Sequence, residues 1–225
     1  MKIIRIIIHW LFILSLPVLL LTVSVTAAVN SPWLYTYGFD KFEVSVTTGL
    51  DQEELSLVAR ELIHYFNSDQ EFIKIYAVKD GEPFPIFNER EVVHLKDVKG
   101  IFRLVYNLLL GTGLYVCLYF GLNLFWWQER RSLARGLVWG SCITLGLMAI
   151  TGVMVAVDFE WFFRQFHLIS FANDFWMLNP ATDYLIMLFP QEFWFEAAIY
   201  CAVAAAVGAL ILGGLGWWYL KKYPN

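Results

Sequence analysis

Two short segments border long apolar runs, one polar and one crowded with aromatic rings, and each carries one histidine. Residues 88–100 read NEREVVHLKDVKG, with His94 near the middle, and an apolar run follows. Residues 158–174 read DFEWFFRQFHLISFAND and hold His167 just after another apolar run. A free imidazole titrates near pH ~6.5, so a neutral ring can take and return protons at ordinary pH. That suits general acid–base catalysis. Glu91, Asp97, Asn173 and Asp174 are side chains of the kind that orient an imidazole or hold one tautomer. Arg103 and Arg164 are cations able to stabilise an oxyanion, a task Asn173 or backbone N–H groups could share.

Other chemistries fit less well. The chain has no G-x-S-x-G elbow and no H-E-x-x-H motif. Cys117, Cys142 and Cys201 fall inside apolar runs, where a thiol keeps its proton and behaves as a small hydrophobe. The two histidines with Asp97 or Asp174 make a weak zinc set, and a bis-histidine haem would want ligands facing each other within spans. No metal and no cofactor is therefore expected. A metal-dependent membrane hydrolase and a non-catalytic lipid- or protein-binding module stay open as alternatives. His9, in the first apolar run, and His64, on a polar helix, read as packing residues.

What must position these groups is a membrane protein. Of the 225 residues, 59% are apolar and only 16% charged, against about half and a quarter in a soluble domain. Four runs are long enough to cross a bilayer: Ile6–Ala28, Leu104–Trp127, Gly136–Val157 and Ala197–Leu220. Lys2 and Arg5, then Arg130, Arg131 and Arg135, then Lys221 and Lys222 fall on one side of an alternating bundle. The positive-inside rule puts that side, with both termini, in the cytoplasm. Residues 30–100, on the other side, carry 13 acidic and 7 basic side chains, which argues against a nucleic-acid partner. The first run is expected to stay as a signal anchor, being longer than the ~7–15 apolar residues of a cleaved signal.

The expected fold class is an all-α polytopic membrane protein with four transmembrane helices and a small α+β extracytoplasmic domain between helices 1 and 2. The expected organisation is an anchor over 1–28, the α+β domain over 29–100 and helix 2 over 101–127. A cytoplasmic link over 128–135, helix 3 over 136–157 and an aromatic outer loop over 158–196 follow, then helix 4 over 197–220 and a tail over 221–225. Within the domain, Val44-Ser45-Val46 predicts a short strand and Asp51–Asn67 a helix with Leu55, Val58, Ala59, Leu62, Ile63 and Phe66 on one face. Asp80-Gly81 predicts a hairpin between Phe72–Val78 and an edge strand over Phe84–Phe87. Asn88 and Glu91 fit a reciprocal helix cap, opening a helix that continues into the second span. Phe159–Phe171 predicts an interfacial helix, with a turn at Asn179-Pro180. Spans two and three share a short link, so His94 before one and His167 after the other arrive at the same membrane face.

The strings FNEREVVHLKDVK (87–99) and FHLISFANDFWMLNPATDYLIMLFPQEFW (166–194) resemble the signatures of a four-span bacterial membrane family, the lipoprotein intramolecular transacylases. The resemblance extends over nearly the whole chain. It implies a plasma-membrane enzyme whose partners are a diacylated lipoprotein and membrane lipid, acting at the outer leaflet. The implied reaction moves the sn-2 acyl chain of the lipoprotein's diacylglyceryl group to the α-amine of its N-terminal cysteine. His94 and His167 would be the catalytic pair of a metal-independent acid–base mechanism.

Overall fold

A computed structural model describes residues 2–224. The elements in chain order are α1 (Lys2–Val29), α2 (Pro32–Lys41), α3 (Val44–Thr48), α4 (Gln52–Asn67), β1 (Tyr76–Lys79), β2 (Glu82–Pro85) and α5 (Glu89–Gly121). A π-helical turn, Leu122–Trp126, prolongs α5; then come α6 (Arg130–Val157), α7 (Phe159–Ser170), α8 (Tyr184–Leu188) and α9 (Gln191–Lys222). Among the described residues, four helices are long and apolar enough to cross a membrane, α1, α5 with its π turn, α6 and α9. The chain divides into two compact units.

The membrane unit comprises residues 1–26, 105–156 and 199–225. Phe12, Leu16, Val116, Tyr119, Leu133 and Leu137 form its core, with Phe12 stacked on Tyr119 at 4.2 Å between ring centres. Lipid offers no hydrophobic gain between helices, so close backbone approach has to come from small residues. Gly216 is one such point: a Cβ there would stand 2.7 Å from the Ala134 carbonyl oxygen. The outward faces are apolar, as in Leu110, Leu114 and Leu118 along α5.

The second unit, residues 27–104 and 157–198, holds both candidate histidines. The Asp51 carboxylate caps α4 by accepting from the Glu54 N–H at 2.9 Å, and Leu55, Val58, Ala59, Leu62, Tyr65 and Phe66 form the helix's buried stripe. β1 and β2 pair antiparallel, Tyr76 with Pro85 through Lys79 with Glu82. Asp80 (φ 55°) and Gly81 (φ 84°) both take the left-handed conformation that a two-residue turn between twisted strands requires. The two prolines of β2 are tolerated because the sheet has two strands only.

One expectation needs correction, and one helix was not foreseen. Val44-Ser45-Val46 is not a strand but the start of α3: Val44 is fully buried while Val46 is 78% exposed, so the two lie on opposite sides of a helical turn. A strand would put both on one face, and packing has overridden the β preference of valine. The helix α2 was not expected; Pro32 opens it, at the first-turn position where a missing N–H costs nothing. α7, Phe159–Ser170, matches the expected helix to within one residue, and α8 forms after the Asn179-Pro180 turn.

Candidate active site

The first turns of α5 carry the site, and their local sequence explains why they form. The Asn88 side-chain oxygen accepts from the Glu91 N–H at 3.1 Å, and the Glu91 carboxylate accepts from the Asn88 N–H at 2.8 Å. This is the expected reciprocal cap. Glu91 also reaches outside its own helix. Its other oxygen accepts from the Leu185 N–H at 2.6 Å, in the first turn of α8, and the side chain is 1% exposed. Burial raises the Glu91 pKa, the two N–H donors oppose that, and the nearby Asp183 carboxylate adds to it. Asp183 accepts in turn from Asn88 Nδ2 at 3.1 Å and from the Asn179 N–H at 2.8 Å. The 179–185 segment is thereby tied to α5 one turn before His94.

His94 and His167 come together. Their ring centres are 6.0 Å apart, and both residues are buried. Aromatic rings enclose them: Phe171 stands edge-on to His94 at 4.9 Å, while Phe163 at 4.3 Å and Trp176 at 4.9 Å flank His167. His167 lies in the last turn of α7, and its Nδ1 bonds the Phe163 carbonyl one turn back at 2.7 Å. A carbonyl only accepts, so Nδ1 carries the hydrogen and the Nε2 lone pair is left for chemistry. His94 Nδ1 is buried with no hydrogen-bond partner among the described residues.

Electrostatics keeps both rings neutral. Burial pushes the His94 imidazole down to about 4; His167 adds to that and Asp97 opposes it. Burial lowers His167 as well, with the Phe163 carbonyl working the other way. Both rings are therefore weakened bases in one apolar enclosure.

The other candidates separate into near and far. Asn173 donates its amide to the Asp97 carboxylate at 2.8 Å, which fixes the 171–175 turn against α5. Asp174 takes part through its backbone carbonyl, which accepts from Arg90. Arg164 is exposed on α7. Arg103 points elsewhere, to the Ser68 carbonyl at 3.3 Å and Asp69 at 3.4 Å. Among the described residues, no three His, Cys, Asp or Glu side chains are grouped to hold a metal ion. Sequence reasoning missed the aromatic walls, the Phe163 carbonyl and Asp183. The i−4 spacing of Phe163 from His167 was the one local signal available for any of them.

Comparison with known proteins adds four findings. Residues 10–194 match the family model described as "Lipoprotein intramolecular transacylase Lit". A protein of Aquifex aeolicus (strain VF5), described only as uncharacterized, is 27% identical over 180 residues, 77% of each chain. The crystal structure of the lipoprotein intramolecular transacylase Lit from Bacillus cereus superposes with a TM-score of 0.83 at 20% identity, covering 99% of this chain and 98% of that one. A form of that protein with a histidine replaced by arginine superposes with a TM-score of 0.78, also at 20% identity, over 98% and 94% of the two chains.

Proposed function

This chain belongs to the lipoprotein intramolecular transacylase family, and we propose that His94 and His167 are its acid–base pair, working without a metal. The substrate is a lipoprotein whose N-terminal cysteine carries a thioether-linked diacylglycerol. The α-amine of that cysteine attacks the sn-2 ester carbonyl. A C–N bond forms, the bond between the acyl carbon and the glyceryl oxygen breaks, and the product is the lyso form with an amide-linked chain. One proton leaves the amine and one arrives on the glyceryl oxygen, so the histidine pair ends the cycle as it began.

The different hydrogen bonding of the two rings divides the labour. His167 is the base: its Nδ1–H is committed to the Phe163 carbonyl at 2.7 Å, which directs the Nε2 lone pair at the amine and counters part of the burial effect. His94 is the acid: it takes the proton from His167 Nε2, and an imidazole pushed down to about 4 surrenders it readily to the departing glyceryl oxygen, which leaves both rings neutral again. An α-amine has a pKa of ~8 in water, and the same apolar enclosure lowers it toward the neutral, nucleophilic form. Nucleophile and ester belong to one molecule, and well-oriented intramolecular pairs reach effective molarities of ~10⁵–10⁸ M, so no covalent enzyme intermediate is needed. Asp97 and Asn173 are positioning residues. Arg103 is engaged at Ser68 and Asp69, which leaves Arg164 as the cation free to meet the oxyanion.

The termini are placed in the cytoplasm by the distribution of Lys and Arg. His94 and His167 then lie at the outer leaflet, where the substrate is anchored. The observation that carries the reading is the approach of two buried, neutral imidazoles to 6.0 Å. The test is mass spectrometry of a lipoprotein N-terminus after expression in a host that lacks such an enzyme. The amide-linked lyso form is expected; recovery of only the free-amine diacyl form would refute the assignment. Chelator treatment of the purified enzyme should leave turnover unchanged, and loss restored by added metal would refute the metal-free route.

A further inference from the structure

The membrane unit contains a second polar site that the transacylase chemistry does not use. The link before α6, the first turns of α6 and the last turn of α9 border an open cleft of about 380 Å³. Its lining is rich in donors: the guanidinium groups of Arg130, Arg131 and Arg135, and the hydroxyls of Ser132 and Tyr219. The one carboxylate in the lining, Glu129, is already bonded to Arg5 at 2.6 Å. Arg131 gives one N–H to the Tyr223 carbonyl. Arg130 and Arg135 have no ion-pair partner among the described residues. Like charges held this close repel one another, and an anion in the cleft relieves that. Guanidinium forks match phosphate oxygens two bonds at a time, whereas a carboxylate would use fewer of the donors.

Apolar tracks lead away from the cleft on both helices. Along α9, Leu215 and Ile211 lie one and two turns back from Tyr219 on the same face and are 57% and 58% exposed. Along α6, Trp139 lies one turn on from Arg135 and is 60% exposed. A free phosphate would have no use for these stripes, but lipid acyl chains would lie along them. Trp217 and Trp218, exposed beside Tyr219, suit the headgroup layer.

We propose that this cleft binds the phosphodiester headgroup of an anionic membrane phospholipid, with Arg130 and Arg135 clasping the phosphate and the acyl chains running along the Leu215–Ile211 and Trp139 stripes. Basic pockets between spans on the cytoplasmic side are suited to such headgroups. The site is separate from the histidine pair and stands whether or not the proposed acid–base roles do.

The full-length protein in phosphatidylcholine nanodiscs supplies the test. Titrating phosphatidylglycerol should raise the thermal midpoint in a saturable way, because a ligand of the native state stabilises it by mass action. The Arg130→Gln/Arg135→Gln pair should weaken that apparent affinity by roughly tenfold or more, while Arg130→Lys/Arg135→Lys, which keeps charge but loses the fork, should fall between. An unchanged phosphatidylglycerol response in the glutamine pair overturns the site. An equal shift from inorganic phosphate at the same concentration overturns the lipid assignment in favour of a free-phosphate site. Should the glutamine pair fail to fold, native mass spectrometry of the wild-type protein decides: selective retention of phosphatidylglycerol over phosphatidylcholine supports the site, and equal retention overturns it.

Discussion

In the membrane unit, His9 Nδ1 shares a 2.7 Å hydrogen bond with the Tyr119 hydroxyl, and the Ser132 hydroxyl stands 3.5 Å away. In the other unit, His94 Nδ1 is buried without a partner among the described residues and the ring faces a second imidazole. His94 is buried and His9 half-buried, and the two surroundings do different things. Around His9 the neighbours include two hydroxyl groups that meet its Nδ1 and link α1 to α5 and α6. Around His94 they are aromatic rings, which remove water and supply no acceptor. A buried polar atom left unpaired costs on the order of 1–3 kcal/mol, so its persistence marks a place shaped for something other than stability.

Replacing each histidine by alanine is the strongest way to break that comparison. His167→Ala and His94→Ala should each lose roughly 10²–10⁴-fold in acyl transfer, the range for a positioned acid or base, while still inserting and unfolding near the wild-type temperature. His9→Ala should do the reverse, lowering the unfolding temperature and leaving turnover within a few-fold. Mass spectrometry of the lipoprotein N-terminus with a thermal melt reads both. Equal losses of turnover in all three would erase the distinction.

A middle-sized effect is expected at Glu91. Glu91→Ala strips the acceptor from two N–H groups, Asn88 and Leu185, and should cost ~2–4 kcal/mol of stability. Glu91→Gln keeps one acceptor and should cost less. Chemical denaturation in mixed micelles measures the pair. A neutral alanine variant would mean that the 179–185 segment is held some other way.

The smallest and most discriminating effect is with pH. Both site imidazoles have lowered pKa values, His94 to about 4, so protonation is deferred on acidification. Turnover should hold as pH falls through the ordinary histidine value of ~6.5 and decline only below it. Stability takes the matching sign. The unfolded chain binds protons first, so the contribution of these two rings is intact above pH ~6.5 and is lost as pH falls below it, for His94 toward about 4. A turnover midpoint at or above 6.5 would show that the rings are not withdrawn from water as described.

Much of the architecture was legible because its signals are local. Hydropathy marked the four spans, Asp80-Gly81 marked the hairpin, and Asn88 with Glu91 marked the cap that starts α5. Where the reading failed, local and tertiary preferences disagreed. Val44 and Val46 favour a strand by type, but only one of them has somewhere to be buried. The site was half legible: chain order put His94 and His167 at the same membrane face. It carried no sign that Arg103 would turn to Asp69.

By itself the sequence determined a four-span membrane protein, a hairpin turn, the capped start of α5 and the presence of two proton-carrying side chains near span boundaries. These follow from hydrophobic run length and backbone preference, which act over a few residues. Tertiary structure alone decided that the two rings stand 6.0 Å apart, that the Phe163 carbonyl selects the tautomer of His167, and that aromatic burial lowers both pKa values. Those properties depend on what surrounds a side chain, and packing brings in neighbours from α5, α7 and the 171–176 turn that no local pattern connects.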